Sequence, residues 1–141
     1  MPLLPKAARA ALHFWEEPCI SGRGGSGTVF FSGCNLECAF CQNYGVSHMG
    51  IGKPITYERL ADIFKELEEK GAENINLVTP SHYWHAVIRA LEIYKPDIPI
   101  VYNTGGYDTV NAVRALKGYI DIYLTDLKYL TADRAKIYSG A

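Results

Sequence analysis

The chain has no apolar run approaching the ~20 residues a membrane-spanning helix needs. It also lacks an excess of either charge: 14 basic and 15 acidic residues leave a net −1. That balance excludes a nucleic-acid surface built on bulk electrostatics. The opening residues Met1 to Leu12 scatter prolines and basic side chains among apolar ones, so no secretory leader is expected. Cysteine is scarce, four residues in 141, and three of the four crowd together, which does not suit a disulfide framework. A reducing cytoplasm is the expected compartment, with neither nucleic acid nor membrane as a partner.

What is present is concentrated in one stretch, Cys34-Asn35-Leu36-Glu37-Cys38-Ala39-Phe40-Cys41. Thiolates are strong soft ligands for iron–sulfur clusters and for zinc. Three on one short loop, at spacing C-x3-C-x2-C, suit a 4Fe–4S cubane with one iron left without a protein ligand. A structural Cys3His zinc site using His48 is the alternative, although such sites usually draw a second ligand pair from well downstream. Cys19 is expected to be a buried or idle cysteine.

Thr28 to Ser32 is a β-branched and aromatic run that predicts a buried strand. Gly33 then permits the sharp turn that lifts Cys34 out of the sheet. The cysteine loop therefore leaves the carboxyl end of a strand, where α/β folds place their chemistry.

Residues 1–25 read as a leader, with a short helix near Ala7 to Trp15 and a glycine-rich approach. Gly22 to Gly27 satisfies G-x-G-x-x-G, but a dinucleotide fingerprint follows a strand and opens a helix. Here no strand is expected before it and a strand follows. Residues 26–141 form the expected core. Tyr44 to Pro54 reads as irregular. Thr56 caps a helix whose apolar residues Leu60, Ile63, Phe64 and Leu67 fall on one face, and Gly71 ends it. Strands are expected at Ile75 to Thr79, Ile98 to Tyr102 and Ile120 to Leu124. A helix carrying Trp84, Val87, Ile88 and Leu91, one at Thr109 to Leu116 and one begun by Thr131 alternate with them. This is the pattern of α/β parallel sheets. An eight-unit barrel takes about 250 residues, so the expectation is a partial (β/α) barrel of about four parallel βα units. The chain reads as truncated, with an exposed parallel edge at its last strand.

The cysteine spacing, the aromatic before the third cysteine and the strand before the first together resemble the radical S-adenosylmethionine (radical SAM) superfamily. Phe31-Ser32-Gly33-Cys34-Asn35-Leu36 through Cys41-Gln42-Asn43-Tyr44 resembles pyruvate formate-lyase activating enzymes and their activase-like relatives. The resemblance implies the N-terminal part of a radical SAM core. It implies Cys34, Cys38 and Cys41 as ligands of a 4Fe–4S cluster, with S-adenosylmethionine on the open iron. Reductive cleavage of S-adenosylmethionine would give a 5′-deoxyadenosyl radical that abstracts hydrogen, with activation of a glycyl radical enzyme as one outcome. Flavodoxin or ferredoxin is the implied electron donor, and a protein is a possible substrate.

Further cofactor-binding residues follow from the same resemblance. Phe40 stands where the family's aromatic meets the adenine end. Thr79-Pro80-Ser81-His82 replaces the family's Gly-Gly-Glu, so Thr79 and Ser81 are expected to take over its contacts. Asn103-Thr104 stands at the family's Asp-Thr near the cofactor carboxylate. Asp126-Leu127-Lys128 matches the activases' Asp-x-Lys, with Lys128 meeting the carboxylate or ribose region and Asp126 binding a cation or holding Lys128 in place. His82 and His85 read as surface or capping side chains, and His13 and His48 have no expected partner. The competing classes are a non-catalytic metal-binding module and an inactive fragment of such an enzyme.

Overall fold

The computed structural model describes residues 4–141; Met1 to Leu3 of the expected leader lie outside the described residues. The chain runs β1 (Lys6–His13), α1 (Pro18–Ser21), β2 (Ser26–Phe31), α2 (Tyr44–Ser47) and β3 (Lys53–Pro54). It continues through α3 (Tyr57–Glu69), β4 (Ile75–Val78), a 3-10 turn (Ser81–Tyr83), α4 (Trp84–Ile93), β5 (Ile100–Thr104), α5 (Val110–Leu116), β6 (Ile122–Thr125) and α6 (Ala132–Ser139). One mixed sheet holds all six strands in the order β3-β1-β2-β4-β5-β6. The four strands β2, β4, β5 and β6 are mutually parallel, as the alternating pattern predicted.

The leader departs from expectation. Lys6–His13 is not a helix but a strand, antiparallel to both β2 and β3. Its alanines favour a helix in isolation. Pairing wins because β2 would otherwise present a row of unpaired backbone donors and acceptors at its outer edge. A strand therefore does precede the glycine-rich run, although that run still leads into a strand rather than a helix. The stretch from Tyr44 to Pro54, expected to be irregular, carries the short α2 and β3. At β5 the strand begins two residues later than expected, because Pro99 has no N–H to give a ladder.

Helix α3 forms as its spacing dictates. The Thr56 hydroxyl accepts from the Arg59 N–H at 3.1 Å, and Gly71, at φ +84°, follows its end. Leu60, Phe64 and Leu67 are buried against Val29, Phe31, Ile75 and Leu77 of the sheet, with Val87 of α4 in the same cluster. Full burial of such a side chain stabilises by roughly 1.5–3 kcal/mol, so this helix-covered face anchors the molecule. The strand residues of the opposite parity face away from it. Phe30, Val78 and Asn103 are ladder neighbours among these, and all three line a cleft. Strand β6 lies at one end of the sheet, with Ile122 and Tyr123 exposed.

Candidate functional site

The cleft, about 520 Å³, lies at the carboxyl ends of the parallel strands. Gly33, at φ +82°, turns the chain out of β2 and delivers the cysteine loop to its wall. Cys34, Cys38 and Cys41 all line it. Cys38 is buried and the other two partly so. Burial pushes the Cys34 thiol above its ordinary range, and the neighbouring Cys38 and Cys41 push the same way. N–H donors at Leu36 and Asn35 oppose them. Cys34 is thus near enough to the other two to feel their charge. Among the described residues, however, no three Cys, His, Asp or Glu side chains close on one metal-ion position. Three thiolates on one loop are the donor chemistry of an iron–sulfur cluster, and of a zinc site once a fourth ligand is added.

The expected cofactor residues, Ser81 excepted, converge on the same cleft from the ends of four strands and the loops that follow them. Phe40, Thr79, Asn103, Thr104, Asp126 and Lys128 line it. The Lys128 Nζ donates to Asp126 Oδ2 at 2.6 Å and lies 5.7 Å from the Phe40 ring centroid. Burial disfavours the lysine's charge, but the hydrogen bond and charge of Asp126 outweigh it and raise its pKa.

Ser81 is the exception. It is buried and does not line the cleft, because its Oγ lies 3.0 Å from Thr104 Oγ1. Thr104 in turn donates to Asp108, as does the Tyr102 hydroxyl at 2.8 Å. The chain of hydroxyls commits Ser81 and Thr104 to bracing the loop after β5.

His82, expected at the surface, is partly buried with its Nε2 2.9 Å from the Ser32 carbonyl. His48, expected to be unpartnered, stacks on Tyr44 and reaches Ser47 Oγ at 2.7 Å. His13 lines the cleft. Cys19 is exposed and away from it.

Sequence reasoning missed Glu16 and Trp15, which the turn after β1 brings to the cleft. Glu16 accepts from Asn76 Nδ2 at 2.9 Å and from Asn103 Nδ2 at 3.4 Å. With one amide hydrogen so engaged, Asn103 keeps its amide oxygen, an acceptor, and a second N–H for a cleft ligand. No local signal marks Glu16; only the recognition of β1 as a strand would have brought it here. Also missed was the docking of α6 on the cysteine loop: Glu37 N–H donates to the Ser139 carbonyl at 2.8 Å and Ala39 N–H to that of Tyr138 at 2.9 Å.

A family model described as the Radical SAM superfamily matches residues 28–141. Among curated proteins, an uncharacterised protein of Methanocaldococcus jannaschii is 34% identical, the match covering 84% of this chain and 36% of the relative. A pyruvate formate-lyase-activating enzyme of Clostridium pasteurianum is 29% identical, the match covering 86% of this chain and 53% of that enzyme. The chain therefore spans about half or less of the length of these relatives. No helix of the described residues is long and apolar enough to cross a membrane.

Proposed function

The chain belongs to the radical SAM superfamily, and on that premise we propose that Cys34, Cys38 and Cys41 hold a 4Fe–4S cluster beside a cleft that binds S-adenosylmethionine. When bound, these groups would supply reductive cleavage of a carbon–sulfur bond of S-adenosylmethionine and, through it, hydrogen-atom abstraction from a substrate. The protein's own part is to orient them and keep water out. Phe40 offers an exposed aromatic face for the adenine end. Lys128, held by Asp126, offers a point cation to the cofactor carboxylate. The Asn103 amide oxygen and the Thr79 hydroxyl offer acceptors for its amino or ribose groups. In this reading the sheet is the first part of the superfamily's partial barrel. The substrate is a protein that receives a glycyl radical, and a flavodoxin or ferredoxin supplies the electron.

One observation carries the reading. Residues expected at the site from the ends of four separate strands and the loops after them, with the exception of Ser81, line a single cleft with the three cysteines. The test is anaerobic reconstitution of the chain with iron and sulfide. About four irons and four sulfides per chain, as a cubane requires, with dithionite-dependent release of methionine and 5′-deoxyadenosine, are expected. One stoichiometric zinc and no colour would instead mark a metal-binding module. A cluster without cleavage would mark an inactive fragment.

A further inference from the structure

Each of the three thiols meets a different hydrogen-bond donor. Cys34 Sγ receives the Leu36 N–H, at 3.4 Å. Cys38 Sγ lies 3.0 Å from the hydroxyl of Ser139, 101 residues away. Cys41 Sγ lies 3.1 Å from the hydroxyl of Ser47. A thiolate bound to iron carries no proton, so in both hydroxyl contacts the serine must donate. A serine has one hydroxyl proton. Ser139 Oγ must therefore accept from the Tyr129 hydroxyl 2.7 Å away. Ser47 Oγ must accept from Nδ1–H of His48 at 2.7 Å. Two relays result, Tyr129 to Ser139 to Cys38 and His48 to Ser47 to Cys41.

The first relay is held rigidly. Ser139 is fully buried, and its own carbonyl is occupied by the Glu37 N–H of the cysteine loop. The Tyr129 ring stacks on Tyr138 and meets Phe40 edge-on. Helix α6 is not otherwise strongly packed: Ile137 is exposed and Tyr138 half-exposed. Burying a serine of such a helix against a thiol has a clearer electrostatic consequence than a packing one.

We propose that Ser139 and Ser47 are positioning residues that donate to the ligand thiolates of Cys38 and Cys41 and so raise the reduction potential of the cluster, an inference that rests on the function proposed above. Accepting one electron from the external donor adds one negative charge to the cluster and its thiolates. Hydrogen bonds to the sulfurs stabilise the more negative, reduced state and move the potential upward. Each lost donor is then expected to lower the reduced-to-oxidised ratio at a fixed poise about tenfold, which is 59 mV for a one-electron couple.

The experiment uses the full chain reconstituted anaerobically, titrated with dithionite in the presence of redox mediators and read by the electron paramagnetic resonance of the reduced cluster. Ser139→Ala and Ser47→Ala are expected to keep the parent's iron and sulfide content and to have lower potentials. Ser139→Thr and Ser47→Thr should recover the parent value. Tyr129→Phe, which leaves Ser139 in place, should give a smaller shift in the same direction. Potentials equal to the parent's in both alanine variants overturn the proposal, as do shifts that threonine fails to restore. Should Ser139→Ala lose its iron, an unshifted Tyr129→Phe overturns the first relay. A parent chain that takes up no cluster overturns the proposed function itself. A parent that cleaves S-adenosylmethionine beside unshifted variants overturns the relays alone.

Discussion

The Nε2 of His82 lies 2.9 Å from the carbonyl oxygen of Ser32, tying the turn after β4 to the last residue before the cysteine loop departs. The bond requires the proton on Nε2. The other nitrogen, Nδ1, is buried without a partner among the described residues. Burial holds the imidazole below its ordinary pKa, with the bond to Ser32 pulling the other way.

Stability should therefore fall with acidification. Below the unfolded histidine's pKa, about 6.5, the unfolded chain binds a proton that the folded chain resists, so this contribution is present above pH 6.5 and lost as pH drops toward the folded value. The melting temperature is expected to decline between pH 7 and pH 5 by more in the parent than in His82→Gln. Equal declines in the two proteins would remove His82 from the account.

Gly33→Ala should destabilise the start of the same loop. Residue 33 sits at φ +82°, a region costing an L-residue roughly 1–2 kcal/mol, and an added Cβ would stand 3.4 Å from His82 Nε2. A denaturation midpoint lowered by about that free energy, with the denaturant slope unchanged, is the expected result.

Replacing cysteines should divide them three to one. Cys34→Ala, Cys38→Ala and Cys41→Ala are expected to lose the brown chromophore and all cleavage of S-adenosylmethionine. Cys19→Ala, exposed and outside the cleft, should keep the parent's iron content. Retention of iron and cleavage in Cys38→Ala would end the ligand assignment.

Lys128→Met should weaken S-adenosylmethionine binding roughly tenfold, since one charge-assisted hydrogen bond is worth about 1.5–3 kcal/mol. Its ion pair with the exposed Asp126 contributes at most about 1 kcal/mol to folding, so the melting temperature should barely move. Equilibrium binding to the reconstituted protein measures the first effect and a thermal melt the second.

Phe64→Ala should do the reverse. The ring is fully buried in the helix-covered core, and its removal should cost about 3–5 kcal/mol of stability while iron content per folded chain is unchanged. Chemical denaturation and iron analysis of the folded fraction test both halves.

Much of this architecture is legible in local sequence. The period of Leu60, Ile63, Phe64 and Leu67, the cap at Thr56 and the glycine at 71 specify α3, because helix periodicity and capping act within a few residues. The cysteine spacing and Gly33 likewise define the loop. The helix expected near Ala7 to Trp15 gives way to the strand Lys6–His13 for the converse reason. Its conformation is set by the open edge of β2, which lies some twenty residues further along the chain, and propensity is a weak prior against a ladder of backbone hydrogen bonds.

By itself, then, the order of residues determined the alternation of strands and helices, the thiol trio and the loops that carry polar side chains past each strand end. Only the tertiary structure decided which of those side chains face one cleft: it admitted Lys128 and Asn103, turned Ser81 to Thr104, brought in Glu16, and set the buried Ser139 against Cys38 outside the cleft. The physical reason is distance along the chain. A hydroxyl at 139 can meet a sulfur at 38 only after the sheet has set the last helix against the first loop, and no short-range pattern encodes that meeting.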